Sequence, residues 1–241
     1  MDKQKANTQT SLSRRRFFKS LSAVPLAAAL PGGTMGEDQD GKSAEAGASN
    51  YAPTFFNPVQ YDALVAICDR LIPSDEVGPG AVESGVPEFI DRHMQTPYAN
   101  GSIWYMQGPF LQAAPEFGYQ GKLALREILS VGLDALDTLC KHAFGGRAFA
   151  KLDRAQQESL LKEAESGKLE LDGISSKTFF SYLLGEVRNG YFSDPKYGGN
   201  KNMGAWKMIG YPGARADYID WVTVRDKPYP LPPVDQAGKR A

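Results

Sequence analysis

The side chains of this chain that could do acid–base chemistry are few and scattered. Only two histidines occur, His93 and His142, and histidine is the side chain best suited to exchange protons near neutral pH. Each lies towards the end of a predicted helix, where the helix dipole favours an imidazolium. No companion ligand falls at the helical spacing that a zinc site needs. We therefore interpret both histidines as structural and predict no metal site.

Carboxylates occur in short clusters, and a pair in different environments could act as acid and base. Asp75 and Glu76 lie in a predicted loop, Asp134 and Asp137 on the polar side of a predicted helix, and Asp194 precedes a proline. A solvated helix face and a turn are the ordinary roles of such residues. The sequence also lacks a glycine-rich dinucleotide loop, a P-loop and a G-x-S-x-G serine elbow. We predict no catalytic residue in this chain.

The two cysteines, Cys68 and Cys140, are too few for an iron–sulfur cluster held by four thiolates. No C-x-x-C-H motif is present to attach a haem, so we predict no cofactor bound by this chain. The pair could form a disulfide in an oxidising compartment. Both cysteines fall on apolar faces of predicted helices, which favours buried free thiols.

Helical periodicity accounts for most of the chain between residues 57 and 190. Asn57 before Pro58 is a typical helix start, and Asp153 with Gln156 resembles a capping box. Ser176 is predicted to cap the last helix. The predicted helices begin near Pro58, Pro87, Lys122, Asp153 and Ser176, and end before Pro73, Pro97, Gly145, Gly167 and Gly190.

No segment alternates apolar and polar residues as a strand would. Residues 97–121 carry many aromatic residues and prolines without a period, and we interpret them as an ordered loop with one helical turn. The fold class that we predict is mainly α: a small irregular helical bundle with long ordered loops rich in glycine, proline and aromatic residues.

The N-terminus is typical of a twin-arginine export signal. Arg14 and Arg15 are followed by Phe17, Lys19 and an apolar run over residues 21–30, which is shorter than the roughly 20 residues of a membrane span. A membrane helix or a chance basic terminus are the alternatives. We predict a signal peptide over residues 1–29, a linker over 30–54, and export of the folded chain by the twin-arginine translocase to the periplasm.

Charge excludes nucleic acid as a partner. Cleavage after Ala29 would leave 21 basic and 27 acidic residues, a net charge of −6. Affinity for nucleic acid depends largely on the neutralisation of phosphates by basic side chains. An alternative cleavage site lies at Ala44-Glu45-Ala46, so the signal boundary stays open.

Residues 190–213 place glycines beside aromatic side chains without helical or strand periodicity. Tyrosine and tryptophan combine a large apolar area with one polar group and are typical of recognition surfaces. A partner surface, a ligand cleft and a loop folded onto its own helices all fit this composition.

A resemblance narrows these alternatives. The run from Gly190 to Asn200, followed by Trp206 and by residues 209–213, resembles the gluconate 2-dehydrogenase subunit 3 family. Residues 71–75, 78–81 and 85–91 resemble that family's N-terminal pattern, so the likeness covers about residues 55–222. It implies a non-catalytic accessory subunit.

In that family a separate large subunit of the glucose–methanol–choline type carries FAD, and a cytochrome c subunit often accepts the electrons. The small subunit assists the folding and twin-arginine export of the large one, in a complex at the membrane. We therefore predict that residues 55–222 form the subunit domain and residues 223–241 a proline-rich tail. The predicted interface consists of Tyr191, Phe192, Asp194, Pro195, Tyr197, Gly198, Gly199, Asn200, Trp206, Ile209, Gly210, Tyr211 and Pro212.

Two other functions remain open from the residues alone. The chain could be a free-standing secreted enzyme acting on carbohydrate, with its active site near Asp194 and Asn200. It could also be a module that binds a small ligand through the aromatic loop.

Overall fold

The computed structural model describes residues 51–111 and 113–241. The predicted signal peptide, with Arg14, Arg15, Phe17 and Lys19, and most of the predicted linker lie outside the described residues. Within the part that the structure describes, none of the helices combines the length and the apolar character that a bilayer span requires.

The described residues form a mainly α structure with six α-helices and no strand, which confirms the predicted fold class. Long ordered segments and five short 3₁₀ turns connect the helices. The helices are α1 (Pro58–Leu71), α2 (Val86–His93), α3 (Leu125–Ala143), α4 (Arg154–Ser166), α5 (Ser176–Tyr191) and α6 (Gly204–Ile209).

Local capping chemistry sets two of the helix starts as predicted. Asn57 and Gln60 form a reciprocal capping box at α1, with Pro58 at the first position. Asp153 and Gln156 do the same at α4. The prediction that Ser176 caps α5 is wrong by one residue. The N-cap is Ser175, whose hydroxyl accepts a hydrogen bond from the Thr178 amide.

The core lies where α5 packs against α2, α3 and α4, and α1 also packs against these three helices. Its centre is aliphatic and aromatic, as the periodicity of α1, α3 and α5 predicted. Fully buried side chains at this centre are Leu64, Ile67, Leu133, Leu136, Phe179 and Leu183.

Helix α3 packs tightly against Phe179 of α5 at Gly132. A Cβ atom built there would lie 2.0 Å from Cδ2 of Phe179, whose ring is only 1% exposed and has no room to move. We expect Gly132→Ala to lower the free energy of unfolding by about 1–3 kcal/mol through overpacking. Urea denaturation measures the effect.

Gly185→Ala is the matched control for this prediction, since Gly185 also lies inside a helix but a Cβ there meets no atom within 4 Å. Alanine has the higher helix propensity by about 1 kcal/mol, so this control should be neutral or stabilising. Equal losses in the two variants would contradict the tight crossing at Gly132.

Both cysteines are free and buried, Cys68 on α1 and Cys140 on α3. The structure therefore bears out the interpretation as free thiols over the disulfide. Burial raises the pKa of the Cys68 thiol, and burial with the nearby Asp137 carboxylate raises the pKa of Cys140 to about 11. Neither thiol is activated as a nucleophile.

Asp137 departs from the predicted solvated face. Its side chain is buried because Oδ1 accepts from the Phe149 amide at 3.3 Å and Oδ2 pairs with Lys141 at 2.6 Å. Asp134 is exposed as predicted. The carboxylate of Asp137 thus anchors the turn that follows α3.

Asp91, on α2, joins the helix to the residues that precede α1. It is fully buried and accepts hydrogen bonds from the hydroxyls of Tyr51 and Thr54 and from the amides of Thr54, Phe55 and Phe56. Residues 51–54, placed in the linker by the sequence, are thereby fixed against α2.

The predicted tail over residues 223–241 folds back onto the domain. The Val234 amide donates to the Pro212 carbonyl at 3.2 Å, and the Ala214 amide donates to the Val234 carbonyl at 2.7 Å. Val234 is buried. Contacts therefore cross the predicted boundary at residue 222, and the end of the chain supports residues 212–214.

Candidate partner-binding groove

Asp194 fixes the backbone immediately after α5. Its Oδ1 accepts from the Lys196 amide at 3.1 Å, and its Oδ2 accepts from the Gln236 amide at 2.8 Å. The carboxylate is 7% exposed and begins the 3₁₀ turn Pro195–Tyr197. Asp194 is therefore a turn former, and both of its oxygens already accept hydrogen bonds within the chain.

Asn200 fixes the next turn. It is fully buried in the left-handed region (φ 44°), donates from Nδ2 to the Ser193 carbonyl at 3.0 Å and accepts at Oδ1 from the Ala205 amide at 3.0 Å. Beside it, a Cβ on Gly199 would lie 2.2 Å from the Gly190 carbonyl oxygen. The glycine is required because two backbone segments touch there.

Two aromatic rings of this segment are inside the protein. Tyr191 is 3% exposed and donates its hydroxyl hydrogen to the Pro79 carbonyl at 2.7 Å. Trp206 is 6% exposed, donates from Nε1 to the Phe192 carbonyl at 2.9 Å and packs edge-on against Tyr211. These rings hold the segment against the bundle.

Trp206 lies on α6, a helix that the sequence did not predict. The helix has only six residues and starts from left-handed backbone at Met203, so it is too short to show a period. A capping αL glycine, Gly210, ends it.

Four other large apolar side chains of the segment are more than 40% exposed. Tyr197 is 51%, Ile209 55%, Phe192 42% and Tyr211 41% exposed. They are held on a backbone that Asp194 and Asn200 make rigid. Rigid exposed rings lose little entropy on binding, which suits an interface.

Tyr197 and Tyr211 border an open apolar groove of about 680 Å³ between this segment, α2 and the loop after α2. Trp206, although only 6% exposed, also lines the groove. The principal apolar walls are Phe89, Tyr98, Ile103, Tyr197, Trp206 and Tyr211.

His93 supplies a polar group in this groove. Its Nδ1 lies 2.6 Å from Oε2 of Glu186, whose Oε1 accepts from Asn189 at 3.1 Å. The ring stacks on Tyr98 with centroids 5.4 Å apart. Nδ1 is thus bonded to the buried Glu186, and Nε2 makes no hydrogen bond to another described residue.

Basic side chains lie beside the groove. The Nζ of Lys196 is 4.7 Å from the centre of the Tyr197 ring and bonds to Gln236, which lines the groove. Glu88 pairs with both Arg92 at 2.5 Å and Lys201 at 2.6 Å. Arg92 and Lys201 are therefore paired with an acid, and Lys196 is the basic group next to the Tyr197 ring.

Comparison with known families gives this groove a context. The family model for gluconate 2-dehydrogenase subunit 3 matches residues 58–213. The chain belongs to the gluconate 2-dehydrogenase subunit 3 family. Searches of curated proteins and of solved structures returned no match. The family name indicates a chain that works as one subunit of a gluconate dehydrogenase complex.

The matched region of this subunit 3 family member runs from the start of α1 to Gly213 and includes most of the groove. The C-terminal residues that brace Pro212 and line the groove through Gln236 lie beyond the matched region. The groove is therefore built mainly, but not only, from the part of the chain that the family model matches.

The predicted interface residues of this family member divide into two sets. Six of the thirteen are buried in the isolated chain: Tyr191, Asp194, Gly198, Gly199, Asn200 and Trp206. The accessible ones are Phe192, Pro195, Tyr197, Ile209, Gly210, Tyr211 and Pro212. That the segment contacts a partner stays a prediction.

Sequence reasoning missed the part of the groove contributed from elsewhere in the chain. His93 and Glu186 are 93 positions apart, and no local pattern connects them. The sole signal was that His93 shares a helix face with Phe89.

His142 is exposed near the end of α3 and away from the groove. Among residues 51–111 and 113–241, no three His, Cys, Asp or Glu side chains converge as metal ligands.

Proposed function

We propose that this chain is the non-catalytic small subunit of a periplasmic, membrane-associated FAD-dependent dehydrogenase that oxidises a sugar or polyol, such as gluconate 2-dehydrogenase. The catalytic subunit, of the glucose–methanol–choline type, carries the FAD, and a cytochrome c subunit with haem c completes the electron path. The groove beside Tyr197 and Tyr211 binds the catalytic subunit and assists its folding and twin-arginine export.

The observation that carries this proposal is an apolar groove on a subunit-family fold. Exposed apolar hollows with rigid aromatic walls are typical of protein interfaces. His93 provides one hydrogen-bonding position within the apolar walls, and Lys196 provides a positive charge at the edge. A partner segment with an apolar anchor and a nearby carboxylate fits this chemistry.

An enzymatic role for the same segment has less support. Asp194 and Asn200, the polar residues that suggested it, have their side-chain oxygens and the Asn200 amide group bonded to backbone. Neither is free to act as an acid, a base or a sugar-binding group without breaking the turn that it holds.

Substitution of the two tyrosines that border the groove tests the proposed binding of the catalytic subunit. We expect Tyr197→Ala combined with Tyr211→Ala to weaken binding of the purified FAD-containing subunit by about 30- to 1,000-fold, since two interface anchors of about 1–2 kcal/mol each are lost. Calorimetry or biolayer interferometry measures the dissociation constant. Both side chains are about half exposed, so circular dichroism and melting temperature should change little.

Ile219→Ala combined with Val222→Ala is the matched control, because these apolar side chains are exposed but do not line the groove. The control should bind as the parent does. Recovery of no flavoprotein with the parent chain from its native host, or parent-like affinity of the tyrosine variant, would contradict the proposal.

The export role has its own experiment. Arg14→Lys with Arg15→Lys should retain the catalytic subunit in the cytoplasm, while the isolated pair still binds with the parent's affinity. Fractionation followed by flavin-dependent dye reduction measures the location. Normal export of the catalytic subunit with this variant would overturn the carrier role and leave the groove contact standing.

A further inference from the structure

The loop after α2 carries a second apolar surface on the other side of Tyr98 and Ile103. Six large apolar side chains between residues 103 and 117 are at least 44% exposed, and three of them exceed 70%. Monomeric proteins rarely expose so many together without a binding role. They are Ile103, Trp104, Tyr105, Phe110, Leu111 and Phe117.

Charge is almost absent from this loop. Between residues 97 and 121 the single ionisable acid or base is Glu116, apart from tyrosine. The exposed bases next to it are Lys122, which follows the loop, and Lys177, which borders the same hollow as Phe110 and Leu111. The two lysines therefore lie beside the apolar residues, with Glu116 in the loop and Glu186 in the adjoining hollow as the nearby acids.

The backbone groups of this loop also make few hydrogen bonds to the rest of the described chain. Residues 105–111 and 113 make no hydrogen bond from a backbone N–H or C=O to another described residue. A dry protein interface over this stretch would have to provide a partner for each such group. The headgroup region of a bilayer contains water and lipid oxygens that can bond to them.

We infer that this loop docks on the surface of a phospholipid bilayer. Trp104 and Tyr105 are the side-chain types that concentrate at membrane interfaces, and Leu111 and Phe117 supply apolar area for shallow insertion. Lys122 and Lys177 complement anionic headgroups. The backbone of residues 105–111 and 113, which bonds to no other described residue, limits the depth to the interfacial layer, because unsatisfied peptide groups are excluded from the hydrocarbon core.

This surface adjoins the catalytic-subunit interface that we propose and consists mostly of other residues. The two share Tyr98 and Ile103 at their border, so the loop would hold the groove, and whatever binds there, beside the membrane. The contact of this subunit with lipid is direct and does not depend on another subunit.

Vesicle flotation of the full chain tests the inference. The loop variant is Tyr105→Ser, Leu111→Ser and Phe117→Ser, all at positions more than 70% exposed. We expect the parent to float with vesicles of phosphatidylcholine and phosphatidylglycerol, and the loop variant to lose about 30-fold or more in partition coefficient. The matched control is Val77→Ser, Ile219→Ser and Val222→Ser, which are equally exposed elsewhere and should float as the parent does.

Residues 21–30 are present in every variant, so a difference between the variants reports the loop alone. Quenching by brominated lipid should reach Trp104 and fall in Trp104→Phe. Two outcomes of the flotation experiment overturn the inference. The first is a parent protein that does not float, and the second is a loop variant that floats as well as the parent. Loss of flavoprotein binding by the loop variant with unchanged flotation would assign the loop to a protein partner and also overturn it. Failure of the tyrosine variant in the groove experiment leaves this result unaffected.

Discussion

Trp206→Ala is expected to lower the free energy of unfolding by about 3–5 kcal/mol, the range for removal of a buried large aromatic side chain. The indole is 6% exposed, packs at 5.1 Å from the Tyr211 ring and donates to the Phe192 carbonyl. Its removal leaves a cavity and an unpaired carbonyl beneath the groove. Urea denaturation measures the loss.

Two further variants help to interpret the stability loss of Trp206→Ala. Trp206→Phe keeps most of the ring but not the N–H, and should cost less, about 1–3 kcal/mol for the orphaned carbonyl. Trp221→Ala removes a tryptophan that is only partly buried and should cost less than Trp206→Ala. A Trp206→Ala protein with the parent's stability that no longer binds the flavoprotein would show that the ring faces a partner.

Asp91→Ala is expected to cost about 3–5 kcal/mol, the range for removing one side of a buried charged network. The substitution orphans the amides of Thr54, Phe55 and Phe56 and the hydroxyls of Tyr51 and Thr54. Residues 51–56 should detach from α2, and hydrogen exchange should become faster there. Asp62→Ala, on the exposed face of α1, is the control and should be nearly neutral.

The pH dependence of stability provides an independent test of the role of the Asp91 carboxylate. Burial by itself would raise the pKa of Asp91, but the hydrogen bonds from Phe56, Thr54 and Tyr51 outweigh it and lower the pKa below its ordinary value. The carboxylate therefore contributes its full stability above the unfolded pKa of about 4 and loses that contribution as pH falls through the lower folded value.

The melting temperature of Asp91→Asn should consequently fall less steeply than that of the parent as pH drops below about 4. Differential scanning calorimetry over this range measures the slopes. Parallel slopes for the two proteins would mean that Asp91 titrates alike in the folded and unfolded chains, contrary to the hydrogen bonds described.

Short-range chemistry made much of this fold predictable from the sequence. The cap at Asn57 and the box formed by Asp153 and Gln156 depend on residues three positions apart, and the periodic faces of α1, α3 and α5 depend on turns of the same helix. Such signals survive in a single sequence because each is complete within a few residues.

The groove depends on distant pairs and was predictable only in part. The sequence marked residues 190–213 as unusual, but whether Trp206 or Tyr197 faced inward depended on where α2 and the preceding backbone would lie. Asp91 and Asp137 show the same limit, since their burial is decided by donors at residues 51–56 and at Phe149. No local pattern carries that information.

The walls of the groove come from stretches as far apart as Phe89 and Gln236, so an unfolded chain has no groove at all. A protein that occupies it binds only the native state and shifts the folding equilibrium by mass action. The amount of this subunit that survives proteolysis in the cell should therefore follow the supply of whatever fills the groove, and a copy made in excess would be degraded.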